Sequence, residues 1–214
     1  MVQRVEHYLK QGITAFEIRM DWGADRQDVD LDRDWGIFRR VRELVGEDVP
    51  LSFDGNNGYS VPGAMAQGRR FESLGIYHFE EPVAQFDYAG LAQVADALDV
   101  PVSAGEHEYA RWQFRDLITQ AWVDIIQPDV VKSGGLAETK KIAVLAEIYN
   151  RLFVPHQTQP TIGTAANLHL IAALQWADRP QEYTGQRPEL GQVFEEPLVF
   201  ENGYLTVHDR PGWG

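Results

Sequence analysis

Six ionisable residues recur along the chain at nearly even spacing. Asp54, Glu80, Glu106, Asp129, His156 and Glu182 are separated by 26, 26, 23, 27 and 26 residues. Each stands at or just past the end of a short apolar or β-branched run, and the spacing is that of one strand plus one helix. If the runs are parallel strands, their C-terminal ends share one rim, where barrel enzymes carry their chemistry. Asp54, Glu80 and Glu106 come from three consecutive units and are neighbours on such a rim. Three carboxylates crowded in a partly dry site cannot all stay ionised without a cation. Oxygen donors of this kind suit Mg²⁺. Taken singly, each acid would more simply cap a helix or sit in a solvated loop; the equal phase of three favours a metal site. Glu81 competes with Glu80 for the middle position. Strand alternation sends the two side chains opposite ways, and Glu80 directly ends the apolar run. Glu80 is therefore the expected ligand and Glu81 a structural hydrogen-bond partner.

Asp129 and His156 close adjacent strands. A carboxylate there can orient the imidazole and raise its basicity. With a cation across the cup, such a base can remove a proton α to a carboxylate. The plainer readings are a turn residue after Pro128 and a packed or capping histidine after Pro155; phase with the acids favours the dyad. Glu182 closes the last candidate strand and could hydrogen-bond a substrate carboxylate, against the plainer reading of a rim residue.

The elements that must hold these residues follow from the apolar pattern. Candidate strands are Ala15–Met20, Pro50–Phe53, Ile76–Phe79, Pro101–Ser103, Val123–Ile126, Leu152–Val154 and Glu182–Tyr183. Candidate helices are Val2–Gln11, Leu31–Leu44, Val61–Leu74, Tyr88–Leu98, Arg111–Gln120, Leu136–Tyr149 and Thr161–Trp176. Alternation with short links implies an α/β fold with parallel strands and crossover helices. Seven strands fit a (β/α) barrel better than an open sheet. The chain opens on a helix, so an eight-stranded barrel would lack its first strand. Met20–Asp34 is long and acidic, as expected of a loop over one mouth. Residues 1–185 read as the barrel domain. Residues 186–214 read as a tail packing back on it or on a cap, with a hairpin of Leu198–Phe200 and Tyr204–Val207 flanking Glu201-Asn202-Gly203.

Composition bounds the rest. The 214 residues are 44% hydrophobic, which makes disorder implausible, and their net charge of −13 argues against nucleic acid or an anionic membrane as partner. Cysteine is absent, which excludes disulfides and thiolate chemistry. No apolar run is long enough to span a membrane and Met1–Lys10 has no signal-peptide character, so the expected compartment is the cytoplasm.

Joined together, the motifs resemble the enolase superfamily, specifically its mandelate racemase-like subgroup. The pieces are Phe53-Asp54-Gly55-Asn56, Phe79-Glu80-Glu81-Pro82, Ala104-Gly105-Glu106, Ile126-Gln127-Pro128-Asp129 with Gly134-Gly135, Val154-Pro155-His156 and Asp209-Arg210-Pro211-Gly212. Each is weak alone; in this order and spacing, across nearly the whole chain, they are specific. The resemblance implies a TIM-type barrel, Mg²⁺ on Asp54, Glu80 and Glu106, and an Asp129–His156 acid/base dyad. It also implies a substrate-contacting Asn56 and a carboxylate-side Glu182. Asp129 stands where muconate-lactonising relatives carry a lysine.

Two departures shape the expected activity. Many members end the second barrel strand with Lys-x-Lys; this chain reads Glu17-Ile18-Arg19. Arginine is always charged, so Arg19 can hold a substrate anion but is a poor base. A two-base racemase is disfavoured, and a dehydratase is favoured, in which one histidine takes the α-proton and then protonates the departing β-hydroxyl. Gly105-Glu106-His107-Glu108-Tyr109, with Arg111 and Phe114-Arg115, is similar to the L-rhamnonate dehydratase branch, and His107 is a candidate substrate or supporting contact. His156-Gln157-Thr158-Gln159-Pro160 does not follow that branch. The second departure is the family's N-terminal capping domain, for which no counterpart is expected within these residues. The expectation is a Mg²⁺-dependent acid-sugar (aldonate) dehydratase acting on a small molecule and forming a homo-oligomer. The alternatives are a 2-hydroxy-acid racemase or epimerase, and a non-catalytic barrel fragment.

Overall fold

The computed structural model describes residues 1–20, 27–159, 162–185, 198–207 and 209–213. Along them run α1 (Val2–Leu9), β1 (Phe16–Arg19), α2 (Leu31–Val45), β2 (Leu51–Asp54), α3 (Val61–Glu72), β3 (Phe79–Glu80), α4 (Tyr88–Ala97) and β4 (Val102–Ala104). There follow α5 (Ala110–Asp116), a π-helical turn (Leu117–Ala121), β5 (Ile125–Ile126), α6 (Leu136–Ile148), β6 (Leu152–Phe153), α7 (Ile162–Ala172), β7 (Phe200–Glu201) and β8 (Tyr204–Leu205). Strands β1 to β6 lie in chain order in one sheet, and the pairs β1–β2, β2–β3 and β3–β4 are parallel. Parallel neighbours need a crossover, which the intervening helices supply. Strands β7 and β8 form the antiparallel hairpin expected around Asn202-Gly203. No described helix is long and apolar enough to cross a membrane.

The chain divides into two compact units. The first comprises Met1–Ala104 and Asp116–Ile125, the second Gly105–Arg115 and Ile126–Gly214. Helix starts in the first unit are set by side chains that accept orphan backbone N–H groups. Asp30 caps α2 through Arg33 N, Ser60 caps α3 through Gly63 N, and Asp87 caps α4 through Gly90 N. Between sheet and helices Phe38, Phe53, Tyr59, Phe71 and Phe79 are fully buried. The Phe53 ring lies 4.5 Å from Phe71 and 6.1 Å from Phe79. Burial of each such ring contributes about 1.5–3 kcal/mol. Because β2 and β3 alternate, committing Phe53 and Phe79 to this aromatic layer sends Ser52, Asp54, His78 and Glu80 to the opposite side of the strands.

One guanidinium fastens two turns of this unit. Arg42, on α2, donates to the carbonyls of Gly46 and Val49 after its own helix and to those of Leu74 and Gly75 after α3. In the second unit, Phe114, Ile142, Ala143, Ala146, Phe153 and Leu170 are buried, and Phe153 meets Trp176 edge-on at 5.7 Å.

Three expectations differ from the structure. Glu182–Tyr183 is irregular rather than a strand. Pro180 breaks the approach to it, and Glu182 is tied down by its side chain instead of by a ladder. The helix expected over Arg111–Gln120 is α only to Asp116 and finishes as the π turn, which Trp122 ends with a left-handed φ of 55°. Of the acidic stretch Met20–Asp34, Leu31 onward already belongs to α2, and residues 21–26 lie outside the described residues.

Candidate active site

In the first unit, Asp54 and Glu80 are the last residues of β2 and β3 and face each other in register. Arg19, last in β1, is the register partner of Asp54. Its Nε lies 3.5 Å from Asp54 Oδ2, and its Nη2 donates to Asn56 Oδ1 at 3.1 Å. The turn after β2 folds back on the acid it follows, since Asn56 N–H donates to Asp54 Oδ1 at 2.7 Å. The sequence thus predicted four residues, Arg19, Asp54, Asn56 and Glu80, that the fold gathers at adjoining strand ends.

Glu81 is held by the turn after β2. Its Oε2 accepts from Asn57 Nδ2 at 2.7 Å, and its backbone sits at a φ of 36°, a region side chains rarely occupy. The turn is braced further out by Tyr59, whose buried hydroxyl donates to Asp34 Oδ2 at 2.7 Å. Burial, then the carboxylates of Glu80, Glu17 and Glu81, push the Asp54 carboxyl well above its ordinary range, with Arg19 opposing. This is surplus negative charge in a nearly dry place with oxygen donors, and Asp54 and Glu80 fit a hard divalent cation such as Mg²⁺.

Below Asp54 and Glu80 on the same side of the strands lies a polar layer that the spacing argument did not single out. His78 places Nδ1 2.8 Å from Ser52 Oγ, and Nε2 3.0 Å from Glu17 Oε1 and 3.8 Å from Glu80 Oε2. Burial pulls the His78 pKa down, but the Glu17 and Glu80 carboxylates outweigh it and hold it at about 9. Period-two alternation from Arg19, Asp54 and Glu80 would have found these residues.

In the second unit, Glu106, His107, Asp129, His156 and Glu182 are brought together. Asp129, 1% exposed, accepts His156 Nδ1 on Oδ2 at 2.9 Å, and the backbone N–H groups of Val131 and Lys132 on Oδ1 at 2.7 and 3.0 Å. The carboxylate is fixed on both oxygens, so the ring is oriented with Nδ1 as donor and Nε2 toward the acids. His156 Nε2 is 2.9 Å from Glu106 Oε2 and 3.9 Å from Glu182 Oε2. Glu106 Oε1 is 3.1 Å from His107 Nε2, so Glu106 lies between two imidazoles.

These pairings govern the charges. Burial would lower the His156 pKa, but hydrogen bonds to Asp129 and Glu106, with Glu182, raise it to about 10. Burial would raise Asp129 and Glu106, yet both carboxyls fall below their ordinary range. His156 and the Val131 and Lys132 N–H groups act on Asp129, and His107 with His156 on Glu106.

Local backbone places both partners. Gly105 has a φ of 137°, and a Cβ there would stand 2.9 Å from the Phe114 ring and 3.1 Å from Gln127 N, so only glycine lets the chain turn into Glu106. Glu182 also accepts Gln157 N–H at 2.6 Å, which anchors the segment after His156.

Comparison with known proteins follows the same lines. The family model described as enolase C-terminal domain-like matches residues 1–214. The chain is 37% identical over 211 residues to arabinonate dehydratase of Saccharolobus solfataricus, covering 97% of this chain and 54% of that protein. It is 32% identical over 212 residues to D-galactarolactone cycloisomerase of Agrobacterium fabrum, covering 95% and 54%. Among solved structures, a mandelate racemase/muconate lactonizing protein from Paracoccus denitrificans complexed with magnesium superposes with a TM-score of 0.94 at 40% identity, covering all of this chain and 57% of that one. The chain spans about half the length of the curated relatives it matches.

Proposed function

Because the chain belongs to the enolase C-terminal domain-like family, whose known barrels are of the (β/α) type, we propose that it carries the catalytic residues of a Mg²⁺-dependent acid-sugar dehydratase. The observation that carries the reading is the His156 ring, held through Nδ1 by a buried, doubly fixed Asp129 and turned with Nε2 toward Glu106. An imidazole fixed in one tautomer by a carboxylate is built to take and return one proton at Nε2.

His156 Nε2 removes the proton α to the substrate carboxylate and then returns it to the β-hydroxyl as that group leaves. The enol ketonises to a 2-keto-3-deoxy acid. Asp129 keeps the ring in the tautomer that leaves Nε2 as the base and steadies the imidazolium between the two transfers. Glu182 hydrogen-bonds the carboxylate side of the substrate. Arg19 and Asn56 hold its polar chain, and His107 steadies Glu106. Asp54, Glu80 and Glu106 are the proposed ligands of Mg²⁺, an assignment that rests on the family resemblance for the set and on crowded carboxylates for Asp54 and Glu80. When bound, the cation supplies positive charge against the negative charge that develops on the substrate carboxylate.

The similarity to the arabinonate dehydratase of Saccharolobus solfataricus supports an aldonate substrate, and the absence of a lysine in Glu17-Ile18-Arg19 disfavours two-base racemisation. The proposal extends to a homo-oligomer in the cytoplasm, with no nucleic-acid or membrane partner. The test is proton NMR in D₂O of the purified chain with Mg²⁺ and a panel of five- and six-carbon aldonates, arabinonate and L-rhamnonate included. Loss of the α-proton with a new methylene signal is expected, and His156→Asn abolishes both. Deuterium uptake with the hydroxyl retained would point to racemisation instead, and activity surviving in His156→Asn would remove His156 as the base.

A further inference from the structure

The polar layer beneath Asp54 and Glu80 is itself shaped for an ion. Glu17, His78 and Glu80 present ligand atoms that all lie within 4.8 Å of one another. They come from two strands and the residue leading into one of them: Glu17 on β1, Glu80 on β3, and His78 one residue before β3. The His78 side chain is about nine-tenths buried, and its Nε2 makes no hydrogen bond of acceptable geometry, although Glu17 Oε1 stands 3.0 Å away. A buried ring nitrogen held between two carboxylates, with good hydrogen-bond geometry to neither, is placed to exchange its proton for a cation that all three groups can ligate.

Distances match a small borderline cation. Two donors at about 2.0–2.1 Å from a tetrahedral ion stand about 3.3 Å apart. The His78 Nε2 separations of 3.0 Å to Glu17 and 3.8 Å to Glu80 bracket that value. The far side of the ring is equipped as ligating histidines are. Nδ1 meets Ser52 Oγ at 2.8 Å, a partner able to accept the Nδ1 proton, so that a cation binding at Nε2 would displace the proton the ring otherwise holds between Glu17 and Glu80. One imidazole with two carboxylates suits Zn²⁺ or Co²⁺ better than Mg²⁺, which favours oxygen alone. Glu17 is partly open to solvent, so the remaining coordination positions are accessible to water.

The geometry points to a second cation site at Glu17, His78 and Glu80, selective for a borderline transition ion and sharing one carboxylate with the Asp54–Glu80 pair. The two oxygens of Glu80 allow it to bridge, with Oε2 on the His78 side. The inference stands on this unit alone and does not need the Mg²⁺ reading.

Co²⁺ is the probe, because its visible absorption reports nitrogen ligation and low coordination number. The full chain, kept in excess Mg²⁺, is titrated with CoCl₂. One equivalent of Co²⁺ with strong visible bands is expected. Glu17→Gln, which preserves shape, should weaken that binding by more than about tenfold, and His78→Gln should remove the bands. Circular dichroism of both variants confirms that they fold. Bands unchanged in both folded variants, or no Co²⁺ bound, would overturn the proposal. So would bands abolished by Asp54→Asn but kept by Glu17→Gln, since the ion would then sit with Asp54. Loss of Mg²⁺ binding with the Co²⁺ site intact would refute the functional reading and leave this one standing.

Discussion

Replacing Glu106 by glutamine should remove one of the carboxylates that hold the proton on His156. In the metal-free chain His156 rises from an ordinary 6.5 to about 10. Each unit is worth 1.36 kcal/mol, so the raised value corresponds to about 5 kcal/mol of stability, present in full below pH 6.5 and lost as pH climbs through about 10. Glu106 Oε2, 2.9 Å from Nε2, is one of two direct carboxylate partners; Asp129 is the other. Removing an opposite charge at that range lowers a pKa by about 1–3 units. Glu106→Gln should therefore bring His156 down by that amount and cost about 1–4 kcal/mol near neutral pH. The deficit relative to the parent should shrink as pH approaches 10, where the parent histidine also loses its proton. The assay is ring-proton NMR titration of the six histidines, with His156 identified by its absence in His156→Asn, alongside urea denaturation at pH 7 and pH 10. A His156 pKa within half a unit of the parent value would refute the reasoning, because Glu106 would then not be what holds the ring charged. Saturating Mg²⁺ should move His156 in the same direction as the substitution, by drawing the Glu106 carboxylate to the ion.

Asp54→Asn removes a carboxyl whose pKa burial and its neighbours drive upward, so the metal-free chain should become more stable at pH 7 while losing Mg²⁺ affinity; melting temperatures with and without Mg²⁺ read both, and a lower metal-free melting point would contradict the crowding argument. Gly105→Ala must fit a methyl 2.9 Å from Phe114 at a φ of 137°, and should cost about 1–3 kcal/mol in urea denaturation. Tyr59→Phe leaves the Asp34 carboxylate without its phenol donor at full burial and should cost about 1–3 kcal/mol, a loss that an unchanged urea midpoint would disprove.

Much of this architecture could be read from the chain because one repeated constraint wrote it. Each strand–helix unit consumes a similar length, so Asp54, Glu80, Glu106, Asp129 and His156 keep step, and a single phase argument locates them. The capping residues Asp30, Ser60 and Asp87 mark helix starts within a residue or so. Glu182 lies beside His156, but on irregular backbone in place of the expected strand, and its side chain does the anchoring through Gln157 N–H. Glu17, Ser52 and His78 escaped because a search for residues past strand ends does not look two residues back. A barrel interior at that depth is normally apolar, so the polar layer emerges only when Ser52 Oγ and Glu17 Oε1 are found against the His78 ring. The pairing of Glu106 with two histidines was equally hidden, because rotamers, not spacing, decide which oxygen meets which nitrogen.

Arg42 carries a consequence for how this chain can change. Its guanidinium closes the turn after α2 and the turn after α3 at once. Lengthening either turn would strand donors that the other still needs, so an insertion after Gly46 and one after Gly75 are not independent events. An insertion at either bend should therefore cost hydrogen bonds that brace both, and a library that varies the two lengths jointly should recover folded members that single insertions do not.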